Sequence, residues 1–207
     1  MRELSHKFVV CLGILFLAFL NLAFIQAGIE RSFLIAGFEE INPAVPMGVY
    51  DHPLDEGRWI RMSVVDEDAL GKPNGKALRL DYEVDSWKKA KAEFWIDLGG
   101  SNFSAFDTLN LWLRGDRQKG FTKNVTVRFK DGRNQTAPYI VTGIKDYWKE
   151  FQIPFKRFSR IRDWSAMKEF GLIFDDINSN PKEGVLFVDE IYVSRREKPI
   201  ASSGGSQ

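Results

Sequence analysis

Three runs decide the reading of this chain: Ala-Leu-Arg-Leu-Asp-Tyr-Glu-Val-Asp at 77–85, Lys-Ala-Glu-Phe-Trp-Ile-Asp-Leu at 91–98 and Leu-Asn-Leu-Trp-Leu-Arg-Gly at 109–115. Apolar and polar residues alternate in each. Successive side chains of a strand point to opposite faces, so a period of two marks a strand with one face in a core and the other turned outward. The alternation sends Leu78, Leu80, Tyr82, Val84, Ala90, Ala92, Phe94, Ile96, Leu109, Leu111 and Leu113 inward. Arg79, Asp81, Glu83, Lys91, Glu93, Trp95, Asn110, Trp112 and Arg114 then lie outward.

The same period continues at 124–130, with Val125, Val127 and Phe129 inward and Thr126 and Arg128 outward. Shorter strand patterns fall at 33–38, 59–65, 139–141, 148–153, 170–174 and 185–193; within 148–153, Phe151 and Ile153 point inward and Gln152 outward. Residues 42–57 hold Pro43, Pro46, Gly48, Pro53 and Gly57 and read as a loop. Residues 159–168 are the one stretch expected to be a short helix. Many short strands joined by turns, without alternating helices, predict an all-β antiparallel β-sandwich, most simply a jelly roll, over residues 30–195.

The ends read differently. Arg2 and Lys7 precede an apolar run from Phe8 to Phe24, followed by Ile25-Gln26-Ala27. This is the pattern of a secretory signal peptide at 1–27; left uncleaved, the run is long enough to act as a membrane anchor. The tail 196–207, with Ser-Ser-Gly-Gly-Ser, is expected to be disordered. Location is therefore expected to be secreted, periplasmic or in the cell envelope. Beyond the leader there is no cysteine, since Cys11 lies inside the apolar run. Without residues 1–27, which hold Arg2, Lys7 and Glu3, the formal charge of +1 falls to zero. Nothing in that balance calls for nucleic acid.

The outward residues suggest a ligand face. A sugar ring has an apolar C–H face that stacks on an aromatic ring, and hydroxyls that need planar donors and acceptors. Trp95, Trp112, Arg79, Asp81, Asn110, Arg128 and Gln152 supply both kinds of group. The competing reading is a solvated face with its tryptophans covered by loops. Catalytic patterns are weak. His52 has no His or Cys partner outside the leader, and Asp175 and Asp176 are adjacent on a strand, where side chains diverge.

Gly-Phe-Glu-Glu at 37–40, Asn-Gly-Lys-Ala-Leu-Arg-Leu-Asp-Tyr at 74–82, Phe-Ser-Ala-Phe-Asp-Thr-Leu-Asn-Leu-Trp-Leu-Arg-Gly-Asp at 103–116, Trp-Lys-Glu-Phe-Gln-Ile-Pro-Phe at 148–155 and Gly-Val-Leu-Phe-Val-Asp-Glu-Ile-Tyr-Val at 184–193 occur in this order. Together they resemble carbohydrate-binding modules with the galactose-binding-like jelly-roll fold. The resemblance implies non-catalytic binding of a polysaccharide or oligosaccharide. It also implies a structural calcium ion held by Glu39 or Glu40 with Asp189, where many family members carry a second Asp at the position of Glu190. The chain is also similar to complex I intermediate-associated protein domains, which implies the alternative of an exported protein-interaction or assembly factor with protein partners. A polysaccharide lyase or glycoside hydrolase ranks last, for want of a base–nucleophile constellation.

Overall fold

The computed structural model describes residues 32–39, 45–52, 58–67, 69–71, 75–85 and 89–195. The leader 1–27, Glu40, and the tail 196–207 lie outside the described residues. Eleven strands occur among them: β1 Ser32–Ala36, β2 Met47–His52, β3 Trp59–Val65, β4 Ala77–Glu83, β5 Lys91–Ser101, β6 Thr108–Gly115, β7 Asn124–Asp131, β8 Thr136–Thr142, β9 Lys149–Pro154, β10 Met167–Asp175 and β11 Glu183–Ser194. Sheet A runs β3-β4-β11-β6-β9, with β1 also on β11; sheet B runs β2-β5-β10-β7-β8. All the pairings are antiparallel.

Strands β4 and β1 both pair with β11. β4 takes residues 183–188 of β11, and β1 takes 191–194. The irregularity between these stretches falls where Asp189 and Tyr192 face β6, and there Glu190 adopts a left-handed φ of 45°. A bulge at this point lets one strand serve two partners in succession.

The period of two is realised. Leu78, Leu80 and Tyr82 of β4, Phe94 and Ile96 of β5, Leu109, Leu111 and Leu113 of β6, and Val125, Val127 and Phe129 of β7 are buried between the sheets. Each such large side chain contributes roughly 1.5–3 kcal/mol through removal from water. Tyr82 keeps its hydroxyl satisfied inside the core. It accepts from the Thr122 N–H at 2.6 Å and donates to the Pro181 carbonyl at 3.3 Å. Burial pushes its pKa upward.

Phe129 is the hub of one end of the core. Its ring meets Phe103, Phe155, Phe158, Trp164 and Phe170 edge-on, with centroids 5.1–6.3 Å apart. Edge-to-face pairs add stabilisation beyond the buried area.

Two local expectations are corrected. Within 42–57, Met47–His52 forms the edge strand β2, pairing with β5 from Met47↔Ile96 to His52↔Lys91. Pro46 lies outside this strand and contributes only its carbonyl, which accepts from the Asp97 N–H at 2.8 Å. Proline is tolerated at a sheet edge for that reason. The expected helix at 159–168 is absent. The helical turn present is a 3-10 turn at Phe155–Arg157. Ile161, Trp164 and Met167 imitate a helical spacing, but Trp164 stacks on Phe155 at 3.8 Å. The carbonyls of Trp164 and Ala166 accept from the N–H groups of Phe103 and Gly132, both at 2.7 Å, so they are committed elsewhere.

Phe129→Ala should lower the free energy of unfolding by roughly 3–5 kcal/mol in a denaturant titration. A loss below about 1 kcal/mol would remove Phe129 from the centre of the core.

Candidate functional site

The expected ligand residues do not share one surface. Arg79, Asp81, Asn110, Trp112 and Gln152 lie on strands β4, β6 and β9 of sheet A, whereas Trp95 and Arg128 lie on β5 and β7 of sheet B. The same parity holds on all five strands, but the two sheets turn their outer faces away from each other.

On sheet A the outward groups are tied to one another. Arg79 grips Asp81 through two hydrogen bonds of 2.7 Å, and this pairing holds the Asp81 carboxyl below its ordinary range. Asn110 is 2% exposed and donates to the Ser194 hydroxyl at 2.8 Å, which makes it a cross-strand tie to β11. Gln152 donates to Glu150, whose other oxygen accepts from the Tyr192 hydroxyl at 2.7 Å. Trp112 is half-buried in the row between Asp189 and Glu150. The segment after β3 reaches this face: Glu67 pairs with Arg114, and the Ala69 N–H donates to Asp189 at 2.9 Å. Arg114 also lies over the rings of Phe187 and Trp148. Sheet A therefore has much of its outer polarity satisfied internally.

Sheet B presents a different surface. Trp95 lies over Gly48 of the edge strand. A Cβ at position 48 would come within 3.0 Å of the indole, so the bare backbone makes room for the ring. One strand further in, Gly171 of β10 sits opposite Trp95 on one side and Arg128 on the other. A Cβ on Gly171 would collide with the Glu93 carboxylate. Glu93 and Arg128 meet over this glycine and form an ion pair, and Arg128 pairs also with Glu169. Lys91 extends the chain of charges to Glu93 at 2.7 Å, and Lys130 approaches Glu169 at 4.0 Å. Glu93 is buried, and its charge is balanced from two sides by Lys91 and Arg128. Tyr50 on β2 is 52% exposed beside this row, and Ile140 on β8 is exposed at its other edge.

The outer face of sheet B is thus an aromatic ring next to a fixed acid–base pair, with glycines keeping the floor low. An apolar ring face and fixed planar donors and acceptors are what a sugar ring needs. Trp95 and Arg128 were legible as outward residues. Glu93 read as one more surface charge, Gly171 as part of a strand pattern, and Gly48 and Tyr50 as loop. The one available signal was Gly48 followed by Val49-Tyr50, a short apolar pair between prolines.

The residues implied for calcium also have partners. Glu39 accepts from the Lys76 N–H at 3.1 Å, and Asp189 accepts from the Ala69 and Glu190 N–H groups. Among the described residues, no three His, Cys, Asp or Glu side chains gather in a metal-binding group. Asp175 accepts from the N–H groups of Ile177 and Asn178 and from the Asn178 side chain, so it builds its own turn.

No family model matches the sequence, and no curated protein matches it. Solved structures do. The family 11 carbohydrate-binding module of a cellulosomal cellulase of Clostridium thermocellum superposes with a TM-score of 0.59 at 16% identity, over 81% of this chain and 96% of that one. The family 11 module from Clostridium thermocellum in complex with a β-1,3-1,4-mixed-linked tetrasaccharide gives 0.60 at 16% identity, over 81% and 98%. An exo-β-agarase gives 0.56 at 8% identity, over 82% of this chain and 26% of that one. At these identities the likeness is one of fold. The chain has the antiparallel jelly-roll sandwich of carbohydrate-binding modules, as its alternating runs predict.

Proposed function

We propose that the protein binds a polysaccharide or oligosaccharide, without catalysis, on the outer face of sheet B. The observation that carries this reading is Trp95 laid over Gly48 beside the Glu93–Arg128 pair above Gly171. The indole offers a stacking platform, and the ion pair holds donors and acceptors at fixed positions before any ligand arrives. Preorganisation of this kind lowers the entropy cost of binding. Asp175, one of the two adjacent acids, is engaged in its own turn, which favours binding over glycoside cleavage. We place the protein outside the cytoplasm, secreted or in the envelope, on the strength of the leader-like residues 1–27.

Trp95→Ala should weaken retention on immobilised neutral β-glucan or xylan at least about tenfold, as loss of an aromatic anchor does. Trp112→Ala on the opposite sheet should leave retention unchanged. Full retention by Trp95→Ala, or loss confined to Trp112→Ala, would move the site off sheet B. Capture of proteins in place of any polysaccharide would favour the assembly-factor reading.

A calcium ion at Glu39, Glu40 and Asp189 is a second, separate proposal. Glu39 accepts from the Lys76 N–H, and the β4–β11 pairing ends at Leu78↔Val188, next to Asp189, so Glu39 and Asp189 lie toward one end of sheet A and can offer hard oxygen ligands. If the ion is held by the native state alone, a chelator lowers the melting temperature by several degrees. An unchanged melting curve removes the proposal.

A further inference from the structure

We infer that a cationic subsite at one end of the sandwich takes the carboxylate or sulfate groups of an acidic polysaccharide, a reading that rests on the carbohydrate site proposed on sheet B. An open cleft of about 610 Å³ lies between the β7–β8 turn and the segment at 159–163. Arg133 enters it from the turn, and Arg160 and Arg162 from the segment. All three side chains are exposed. Among the described residues none of the three guanidiniums makes an ion pair or a side-chain hydrogen bond.

The two acids in the cleft wall accept from backbone N–H groups, and the Asp163 carboxyl is held below its ordinary range by the Ser165 hydroxyl and N–H and, more weakly, by the charge of Arg133. Asp131 is buried, and its Oδ1 accepts from the N–H groups of Arg133 at 3.0 Å and Gln135 at 2.8 Å. Asp163 accepts from the Ser165 N–H at 2.9 Å. Both carboxylates shape the loops that carry the arginines. The guanidinium forks are left to solvent, and their planar donors match a carboxylate or sulfate in a bidentate manner.

The cleft continues the proposed sugar face. Thr136, in its lining, pairs with Lys130, which in turn pairs with Glu169 on the outer face of sheet B. Trp95 and Arg128 are two strands apart, roughly 10 Å. Lys130 and Thr136 lie one repeat further along. A chain stacked on Trp95 reaches Arg128 across the strands and the three arginines by turning along β7 past Lys130 to the β7–β8 turn. A polysaccharide fits better than a nucleic acid, because the whole chain carries a formal charge of only +1.

The test is equilibrium binding of the full protein to polygalacturonate, a sulfated galactan, neutral mixed-linkage β-glucan and duplex DNA, at about 50 and 300 mM salt. At low salt an acidic polysaccharide should bind about tenfold tighter than the neutral one and lose most of that advantage at high salt, since exposed charges are screened. The Arg133→Ala/Arg160→Ala/Arg162→Ala variant should lose about tenfold for the acidic ligand and nothing for the neutral one. Its melting temperature should hold, because substitutions at exposed sites rarely cost stability. The corresponding triple Lys variant should keep the salt dependence with reduced affinity. The arm that binds, carboxylated or sulfated, identifies the acidic group. If the triple Ala variant binds the acidic ligand like the wild type while Trp95→Ala fails, the cleft inference is wrong and the sheet B site stands. Binding of no polysaccharide overturns both, and tighter binding of DNA than of any polysaccharide overturns the assignment to sugars.

Discussion

The packing of rings around Phe129 is the constraint on which the surface chemistry depends. Phe129 faces inward from β7 and gathers Phe103, Phe155, Phe158, Trp164 and Phe170, which come from four other segments of the chain. Because neighbouring residues of a strand point to opposite faces, an inward Phe129 fixes an outward Arg128. A register slip of one residue would bury the guanidinium and expose the ring, a cost no ligand could offset. The same cluster pins the irregular segment after the 3-10 turn. Trp164 stacks on Phe155, and the Trp164 carbonyl accepts from the Phe103 N–H, so the loop carrying Arg160 and Arg162 is anchored at the core.

Over this frame the two outer faces diverge because of what covers them. Sheet A holds the strand that serves two partners, β11, and it is approached by the segment that brings Glu67 to Arg114 and Ala69 to Asp189. Its arginines are drawn into contacts with Asp81, Glu67 and Phe187. On sheet B the ion pairs run within and between the sheet's own strands, from Lys91 through Glu93 and Arg128 to Glu169 and Lys130. This row is tied together within the sheet, and the Glu93 and Arg128 side chains are largely buried in it. The glycines at 48 and 171 decide its height: one admits the Trp95 ring, and the other admits the Glu93 carboxylate.

The inward half of the fold was legible in the sequence because burial between two sheets imposes a strict period of two. Leu78, Leu80, Phe94, Leu111 and Val127 follow it without exception. The outward half was legible residue by residue but not as a surface, since periodicity says which face of a strand a residue occupies and nothing about which sheet the strand joins. That is why Trp95 and Trp112, alike in context, part company in space. Strand β2 was hidden by its flanking prolines, which an edge strand tolerates. The helical spacing of Ile161, Trp164 and Met167 came from an aromatic cluster that claims those positions without a helix. Glu93 and Gly171 could not be found locally, because their meaning arises from adjacency across β5 and β10.

The central claim is that ligand meets the outer face of sheet B. Its most direct test is amide and indole N–H chemical-shift mapping during titration with a soluble oligosaccharide from whichever polysaccharide the protein retains. Shifts should concentrate on β2, β5, β10 and β7, with the Trp95 indole moving and the Trp59 and Trp112 indoles unmoved. Shifts gathered on β4, β6 and β9 around Trp112 would contradict it.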